Sequence, residues 1–450
     1  MSLIEKYDVP APRYTSYPTV PYWTDAPSQE TWKTLVKESY LHADSQDGIS
    51  LYIHLPFCES LCTYCACNTR ITVNHGVEEP YLNALLKEWK LYLKLFCEKP
   101  KIKELHLGGG TPTFFSAGNL QQLIQGILNE SIIGSDAEFS FEGHPNNTSK
   151  EHLQTLFDLG FRRVSFGVQD QNQKVQEAIN RIQPFSNLER VVKQAREIGY
   201  TSVNFDLVYG LPFQTPASVT QTIKEVLALK PERIAFYSYA HVPWLKPGQR
   251  KFTEKDLPQG KEKRKLYELG LALFKIAGYE DIGMDHFALK TDALYTAFQK
   301  KELHRNFMGY TSQHTRLMVG LGASSISDSW TGFVQNIKTV EEYQQEIGKG
   351  NFPIFKGHIL SEEDKIIRQH ILDLMCCYET KWTNNNYYFP VINEILKRCR
   401  SLKSDGLVRP SLNGLVVTEE GKPFLRNICM CFDNRYWKKL PQSQAFSSVA

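Results

Sequence analysis

The sequence has little excess charge and no long uninterrupted apolar run. Its 450 residues carry 52 Lys and Arg against 49 Asp and Glu, a formal net charge of +3, which argues against a protein that coats nucleic acid or is drawn to a membrane surface. No apolar stretch is long enough to cross a bilayer, and the N-terminus lacks the basic and apolar segments of an export signal. We therefore expect a cytoplasmic, monomeric protein with no nucleic-acid partner and no membrane span.

The ten cysteines also lack the arrangements of zinc sites and disulfide scaffolds. A structural zinc site normally needs two C-x2-C pairs, or cysteines with histidines at finger spacing, and no second pair follows Cys67. A disulfide framework is not expected in a long chain without a secretory signal. A zinc-stabilised binding module and a secreted disulfide scaffold are therefore both disfavoured.

Three cysteines instead fall close together in one short segment. Residues 51–67 read LYIHLPFCESLCTYCAC, which places Cys58, Cys62 and Cys65 in a C-x3-C-x2-C spacing and Cys67 two positions later. Three thiolates at this spacing can hold one iron–sulfur cluster and provide no fourth ligand at the usual interval. The spacing therefore predicts a [4Fe–4S] cluster with one iron open to a substrate or cofactor.

Beyond residue 48, short apolar runs alternate with amphipathic helical patterns. The runs are 49–54, 102–107, 138–142, 163–168, 202–208 and 233–239. Six β-α units in succession predict a parallel sheet with right-handed crossovers, and six strands are too few for a closed eight-stranded barrel. We expect an open three-quarter barrel, with the polar motifs at the carboxyl ends of the strands, where active sites of such folds lie.

The segments on either side of this core differ from it. Prolines make a regular element unlikely before Gln29, but Tyr14, Tyr17, Tyr22 and Trp23 favour an ordered extension over a disordered tail. We expect three segments: an N-terminal extension at 1–46, a catalytic domain with its own extension at 47–350, and a mainly helical C-terminal domain at 351–450.

The C-terminal segment has recognisable helix and hairpin signals. Ser361 and Asp364 can cap a helix that runs to Met375, a second helix is predicted over 391–402, and Asn413–Gly414 predicts a hairpin turn. Helix and hairpin in this order resemble a winged helix, which would suggest DNA binding. Because the segment has no concentrated basic face, we expect a domain that covers the substrate.

The cysteine segment resembles the signature of radical S-adenosylmethionine (SAM) enzymes, and its flanks resemble the oxygen-independent coproporphyrinogen III oxidases of haem synthesis. Similar motifs span nearly the whole chain: PRYTSYP (12–18), LGGGTP (107–112), FGVQD (166–170), DLVYGLP (206–212), MDHFA (284–288), LHRNFMGYT (303–311) and RNICMCFD (426–433). The resemblance implies an α/β fold with a TIM-like (β/α)6 radical SAM barrel.

The same resemblance implies a reaction and its cofactors. Two propionates of coproporphyrinogen III would be oxidatively decarboxylated to the vinyl groups of protoporphyrinogen IX, at the expense of two SAM molecules. One electron from the [4Fe–4S] cluster would cleave SAM to a 5′-deoxyadenosyl radical, with flavodoxin or ferredoxin as electron donor and a final acceptor that the sequence does not identify.

The resemblance also assigns candidate site residues. The cluster ligands are Cys58, Cys62 and Cys65. The first SAM would contact Tyr52, Gly110, Thr111, Glu142 and Ile326. The second would contact Tyr64, Gln169, Arg181, Asp206 and Ala240. Each of these residues alone would be interpreted as scaffold, so the assignment depends on their convergence.

A few positions leave alternatives open. Tyr52 is expected to face SAM and Cys67 the substrate, although Cys67 could instead be a reserve ligand. Relatives often carry phenylalanine at the position of Tyr64 and Asp at that of His144. Cys429 and Cys431 could approach the site, but core positions are favoured.

A haem-binding chaperone of the same superfamily is the alternative function. Those relatives share the cysteine triad but usually lack the PRYTSYP extension and the fourth cysteine. Both features are present here, so the oxidase is the predicted function.

Overall fold

The structure is a computed structural model that describes residues 2–23, 26–42, 48–382 and 392–439. The predicted boundary between residues 46 and 47 is outside the described residues, as is Val391, where the second C-terminal helix was predicted to begin.

The strands are short and spread over the whole chain. They are β1 (Ile49–Leu55), β2 (Phe57–Cys58), β3 (Arg70–Ile71), β4 (Lys101–Gly109), β5 (Ile132–Gly143), β6 (Arg163–Gln169), β7 (Ser202–Tyr209), β8 (Arg233–Ser238), β9 (Tyr279–Gly283), β10 (His286–Leu289), β11 (His304–Asn306), β12 (Gly309–Thr311), β13 (Leu317–Leu321), β14 (Ile326–Asp328), β15 (Gly332–Asn336), β16 (Ile354–Ile359), β17 (Glu379–Lys381), β18 (Val408–Ser411) and β19 (Gly414–Val417).

Helices separate most of these strands. They are α1 (Leu3–Tyr7), α2 (Gln29–His42), α3 (Glu78–Leu93), α4 (Ala117–Leu128), α5 (Lys150–Asp158), α6 (Gln173–Ala178), α7 (Phe185–Ile198), α8 (Pro216–Ala228), α9 (Lys261–Ile276), α10 (Ala293–Lys300), α11 (Val340–Gly348), α12 (Glu362–Cys377), α13 (Ile392–Arg398), α14 (Arg400–Ser404), α15 (Leu425–Phe432) and α16 (Asn434–Lys438).

The six predicted strands all form, as β1, β4, β5, β6, β7 and β8. Consecutive members pair in parallel, from β1 with β4 to β7 with β8. The intervening helices bury one apolar face, as α7 does with Leu188, Val191 and Ala195. The predicted α/β barrel of six β-α units is therefore confirmed.

A seventh parallel strand, β13, was not predicted. It pairs with β1 on the side opposite β4, and antiparallel strands β14, β15 and β16 continue the sheet beyond it. All five residues of β13 are buried, because the strand lies between β1 and β14 in the sheet and helices α2 and α3 pack against it. Among the described strands the order β16-β15-β14-β13-β1-β4-β5-β6-β7-β8 does not return to its start, so the barrel is open.

Two helix starts differ from the prediction. Thr148 and Glu151 have the spacing of a capping box and predict a helix that begins after Thr148. The cap is one residue later, because Ser149 accepts a hydrogen bond from the His152 N–H and the His152 side chain reaches back to the Ser149 N–H. A helix does precede Gln29: α1 begins with a capping box of Ser2 and Glu5, a signal that the sequence contains.

The chain divides into two compact units that are each discontinuous in sequence. The barrel unit comprises Thr24–Leu257 and Thr315–Ile359, and the second unit comprises Met1–Trp23, Pro258–His314 and Leu360–Ala450. This division differs from the three consecutive segments expected from the sequence. Its cause is a shared core, in which residues such as Ile282 and Leu294 pack in one cluster with Ile371 and Leu374.

The second unit contains the ordered N-terminal segment. Tyr14 and Tyr17 are buried in its core, and the Tyr14 hydroxyl donates to Oδ2 of Asp433 at 3.1 Å. These aromatic side chains are sheltered from water, as expected for an ordered extension rather than a tail.

The C-terminal part of this unit follows the sequence signals with one change. Ser361 and Asp364 form the capping box of α12, and the β18–β19 hairpin turns between Ser411 and Gly414. The helix predicted over 391–402 is instead two helices, α13 and α14, that meet at Cys399. Cys429 and Cys431 are core residues, which confirms the favoured interpretation.

Candidate functional site

Polar side chains occupy alternate positions of neighbouring barrel strands. Tyr52 of β1 is level with His106 of β4, which is level with Ser140 of β5. Two residues along β5, Glu142 is level with Ser165 of β6. Because alternate residues of a strand share one face, these positions form one polar surface on strands that would otherwise be apolar on both faces.

The cysteine loop leaves β1 and is anchored at both ends. Cys58 is on β2, which pairs in parallel with β3, and the Cys65 N–H donates to the Cys62 carbonyl at 3.1 Å. The Cys58 sulfur is 3.4 Å from Oγ1 of Thr111. Nη1 of Arg181 is 3.7 Å from the Cys62 sulfur, so a half-buried cation lies beside one predicted cluster ligand.

The thiols of this loop differ in acidity. The neighbouring Cys67 thiol donates a hydrogen bond that lowers the pKa of Cys65 to about 6, whereas burial raises the pKa of Cys58 to about 11. The contact with Cys65 raises the pKa of Cys67 well above its ordinary value. As a residue, Cys67 is exposed to solvent.

The donor set of the loop fits an iron–sulfur cluster, because Cys thiolates are the ligands that such clusters take. Within the described ranges, no group of three His, Cys, Asp or Glu side chains is placed to hold a single metal ion. The guanidinium of Arg181 beside Cys62 would also offset the negative charge that thiolates bring to a cluster.

The glycine segment after β4 is clamped to the cysteine loop. The Gly110 N–H donates to the Leu55 carbonyl at 2.8 Å, and the Thr111 N–H donates to the Phe57 carbonyl at 3.0 Å. A Cβ atom on Gly110 would be 2.6 Å from the Pro56 carbonyl oxygen. Glycine is therefore required here by protein packing, which also brings Gly110 and Thr111 next to the predicted cluster ligand Cys58.

Glu142 lies at the carboxyl end of β5 with two hydrogen-bond donors. Its Oε2 accepts from the Gly109 N–H at 3.2 Å and its Oε1 is 3.5 Å from Nε2 of His106. Burial raises the pKa of Glu142, but these two donors outweigh burial and hold the pKa below 4.5. The carboxylate is thus ionised at neutral pH, and 44% of its side chain is accessible to a ligand.

Tyr52 packs against the same group. Its ring stacks on His106 with 6.0 Å between centroids, and its hydroxyl is 3.0 Å from Nδ1 of His54. Ile326, the remaining residue predicted for the first SAM, begins β14 and is separated from β1 by β13. The structure thus brings Tyr52, Glu142 and the glycine segment together and places Ile326 two strands away from β1.

Asp206 and Arg181 are the charged members of the set predicted for the second SAM. Asp206 accepts hydrogen bonds from Ser165 at 2.8 Å and Asn204 at 2.9 Å, and burial together with the charge of Glu142 raises its pKa to about 6. Nη2 of Arg181 donates to the Gly167 carbonyl at 2.7 Å. Its buried Nε has no hydrogen-bond partner among the described residues, a polar atom that suits an additional ligand.

The other members of this set are positioned by backbone geometry. Gln169 ends β6 with a φ of +65°, and a Cβ on Gly167 would be 2.7 Å from its Nε2. The carbonyls of Tyr64 and Ala240 both accept from Nε2 of Gln249 at 3.2 Å. One buried amide therefore links the cysteine loop to the end of β8.

The segment in which His144 departs from the family pattern is ordered by its own hydrogen bonds. Nδ1 of His144 accepts from the Asn146 N–H at 3.1 Å, and the Asn146 side chain donates to the Ile182 carbonyl at 2.9 Å. Burial and the charge of Arg181 lower the pKa of His144 to about 3. This wall of the barrel therefore presents a neutral imidazole.

Sequence reasoning missed His54, His106 and Gln249. The two histidines could have been found, since they continue the polar alternation of β1 and β4 at positions where an internal parallel strand is normally apolar. Gln249 carries no local signal, because its partners Tyr64 and Ala240 are brought near it only by the fold.

The family model of the radical SAM superfamily matches residues 52–226. An oxygen-independent coproporphyrinogen III oxidase of Helicobacter pylori is 38% identical over 95% of both chains, and that of Escherichia coli K12 is 37% identical over 100% of this chain and 98% of its own. The solved structure of Escherichia coli coproporphyrinogen III oxidase, described as a radical SAM enzyme, covers 94% of this chain and 97% of its own with a TM-score of 0.89 and 36% identity.

No helix within the described ranges has the length and apolar character needed to cross a membrane.

Proposed function

This chain belongs to the oxygen-independent coproporphyrinogen III oxidases of the radical SAM superfamily, and from that membership we propose that it oxidatively decarboxylates two propionates of coproporphyrinogen III to give protoporphyrinogen IX. The observation that carries the proposal is the meeting of the cysteine loop with the glycine segment, through the 3.4 Å contact of Cys58 and Thr111.

Cys58, Cys62 and Cys65 would hold a [4Fe–4S] cluster in this enzyme. When bound, the cluster supplies the electron for homolytic cleavage of SAM, which is chemistry that the protein itself cannot perform. The chain contributes the low pKa of Cys65, which favours the thiolate form that binds iron, and the cationic Arg181 beside Cys62.

The first SAM would bind between the glycine segment and Glu142. The ionised Glu142 can accept hydrogen bonds from the ribose hydroxyls, and Gly110 and Thr111 offer backbone near the amino end of the methionine moiety. Tyr52 would bound this pocket from β1, and Ile326 would offer a backbone contact from β14. An ionised acceptor strengthens such hydrogen bonds relative to a neutral one.

A second SAM would bind at Arg181 and Asp206, with Gln169, Tyr64 and Ala240 around it. The two side chains carry opposite charges and suit a ligand that is itself zwitterionic. Removing one of them would leave ligand charge unsatisfied in a partly dry cavity, at a cost of about 1–3 kcal/mol.

SAM stoichiometry tests this second site. The variants Arg181→Ala and Asp206→Ala should keep the cluster, bind one SAM instead of two and lose most decarboxylation, whereas Glu142→Ala should weaken the first SAM. Lys193→Ala is a matched control, since Lys193 is 78% exposed on α7. Two bound SAM molecules and full activity in both variants would show that these residues are scaffold.

The remaining roles concern the substrate and the electron supply. We place Cys67 toward the substrate, since this residue is exposed and lies beside the predicted cluster ligands. All ten cysteines are free, which suits a reducing cytoplasm, where flavodoxin or ferredoxin would donate the electron to a monomeric enzyme. Gel filtration of the reconstituted protein tests the monomeric state. Reduction of the protein by flavodoxin and by ferredoxin tests the choice of electron donor.

A further inference from the structure

The segment that follows β8 combines exposed apolar and cationic side chains. Trp244 is 50% exposed and Leu245 is 63% exposed, and Arg250 is also exposed. Residues 240–251 contain Lys246, Arg250 and Lys251 but no Asp or Glu. Large apolar side chains that stay together at a surface commonly mark a binding site, and the uniform charge indicates an anionic ligand.

Hydrogen bonds hold this segment against the predicted cluster loop. Nζ of Lys246 donates to the Cys67 carbonyl at 3.2 Å. Gln249 is fully buried, accepts from the Val242 N–H at 2.6 Å and donates to the Tyr64 carbonyl at 3.2 Å. The segment is therefore a fixed neighbour of the cysteines rather than a distant surface loop.

The apolar surface includes a residue of the cysteine loop itself. Leu61 lies between Cys58 and Cys62 in sequence and is 43% exposed. A Cβ atom on Gly248 would be 3.3 Å from Cδ2 of Leu61, so the two segments touch at this point. An apolar ligand that contacts the segment after β8 would thus also reach the loop that carries the predicted cluster ligands.

We propose that Leu61, Trp244, Leu245, Lys246 and Arg250, here called the β8 wall, bind the substrate. This inference rests on the proposed function. Coproporphyrinogen III is an apolar tetrapyrrole with four propionate carboxylates, and the β8 wall offers both a matching apolar surface and matching positive charge.

The cations of the β8 wall can bind the propionate carboxylates that do not react. Arg250 can bind a carboxylate with two parallel hydrogen bonds, because its guanidinium presents donors in a planar fork. Holding a propionate that is not reacting fixes the ring, and a fixed ring brings the reacting propionate to one position beside the cluster loop. The β8 wall thus selects a tetracarboxylate over an uncharged ring of the same size.

Binding of coproporphyrin III, the stable oxidised form of the substrate, tests the β8 wall without turnover. Its fluorescence would be titrated with the reconstituted protein, with Trp244→Ala/Leu245→Ala and with Arg250→Gln. Each variant should weaken binding about tenfold, which corresponds to about 1.4 kcal/mol. Ile276→Ala and Lys193→Gln are matched controls that should bind as the parent does, since these residues are 83% and 78% exposed on other helices.

A second ligand separates the two parts of the β8 wall. The tetramethyl ester of coproporphyrin III has the same ring and no charge, so Arg250→Gln should bind it as the parent does, whereas Trp244→Ala/Leu245→Ala should not. In dithionite-driven turnover both variants should raise KM for coproporphyrinogen III, and Arg250→Gln should also lower kcat, because the reacting propionate is then no longer held in one position. If both variants are active and their affinity for coproporphyrin III and their KM are unchanged, the β8 wall does not bind the substrate, and the proposed function remains intact.

Two further results would overturn the inference in other ways. If the parent neither binds coproporphyrin III nor consumes the porphyrinogen, the inference and the proposed function fail together. If the variants are slow only when an acidic flavodoxin replaces dithionite, with porphyrin affinity unchanged, the surface is a docking site for the electron donor and not for the substrate.

Discussion

Replacing Glu88 with glutamine is expected to change the pH dependence of the free energy of unfolding by about 3 kcal/mol. Glu88 is on α3 and is completely buried. It accepts hydrogen bonds from the Tyr343 hydroxyl at 2.7 Å, the Gly322 N–H at 2.8 Å and the Asn336 side chain at 2.7 Å. Burial nevertheless dominates and raises its pKa to about 7.

The magnitude follows from the two pKa values of this carboxyl group. Its pKa rises from 4.5 in the unfolded chain to about 7 in the folded protein, a difference of about 2.5. At about 1.4 kcal/mol per pKa unit the full effect is about 3.5 kcal/mol, of which about 3 kcal/mol falls between about pH 4.5 and about pH 8.5. Since the folded pKa is the higher one, the stabilising contribution is complete below pH 4.5 and is lost as the pH rises through about 7. Glutamine cannot ionise and removes this dependence.

Urea unfolding of parent and variant at about pH 4.5 and about pH 8.5 measures the effect. Between these pH values the parent should lose about 3 kcal/mol more stability than Glu88→Gln. Glu79→Gln changes an exposed carboxylate of the same helix and should follow the parent. An identical pH dependence in the parent and in Glu88→Gln would refute the argument, because burial would then not be perturbing Glu88.

Further predictions concern the site. The reconstituted protein should contain about four irons per chain. Replacing any one of the three predicted cluster cysteines with Ser should abolish this iron, whereas Cys67→Ser should keep it. Iron loss in Cys67→Ser alone would contradict the ligand assignment. Gly110→Ala should destabilise the protein by about 1–3 kcal/mol and weaken SAM binding, because the added Cβ meets the Pro56 carbonyl at 2.6 Å. The control Gly118→Ala in α4, with open space around it, should be neutral or stabilising. Equal melting temperatures of these two variants would argue against the close packing of the glycine segment on the cysteine loop. Binding of the second SAM, followed by equilibrium dialysis, should weaken as the pH falls through about 6, where Asp206 becomes protonated, and Asp206→Asn should bind it weakly at every pH; a pH-independent parent would contradict this role.

The barrel could be predicted from the sequence because its strands and helices have local signals. Thr215 and Pro216, which are the N-cap and the first residue of α8, are one such signal, since a capping residue followed by proline acts on the first turn alone. β13 was missed because its partner β1 is more than 250 residues away in sequence, and a short apolar run does not reveal its neighbours.

The sequence supplies candidate site residues, which remain predictions, but it does not supply their contacts. The cysteine spacing is local and indicated a cluster directly. The close approach of Gly110 to Pro56 and the link that Gln249 makes between Tyr64 and Ala240 depend on how separate loops pack. The reach of Arg181 to Cys62 likewise follows from the fold and could not be read from either segment alone.

The most direct test of the proposed activity is anaerobic incubation of the reconstituted protein with coproporphyrinogen III, SAM and dithionite, with porphyrin products separated by chromatography. We expect protoporphyrinogen IX, detected as protoporphyrin IX after oxidation, and formation of 5′-deoxyadenosine that is slow without the porphyrinogen and faster with it. Tight binding of haem, with no product and no porphyrinogen-dependent cleavage of SAM, would contradict it.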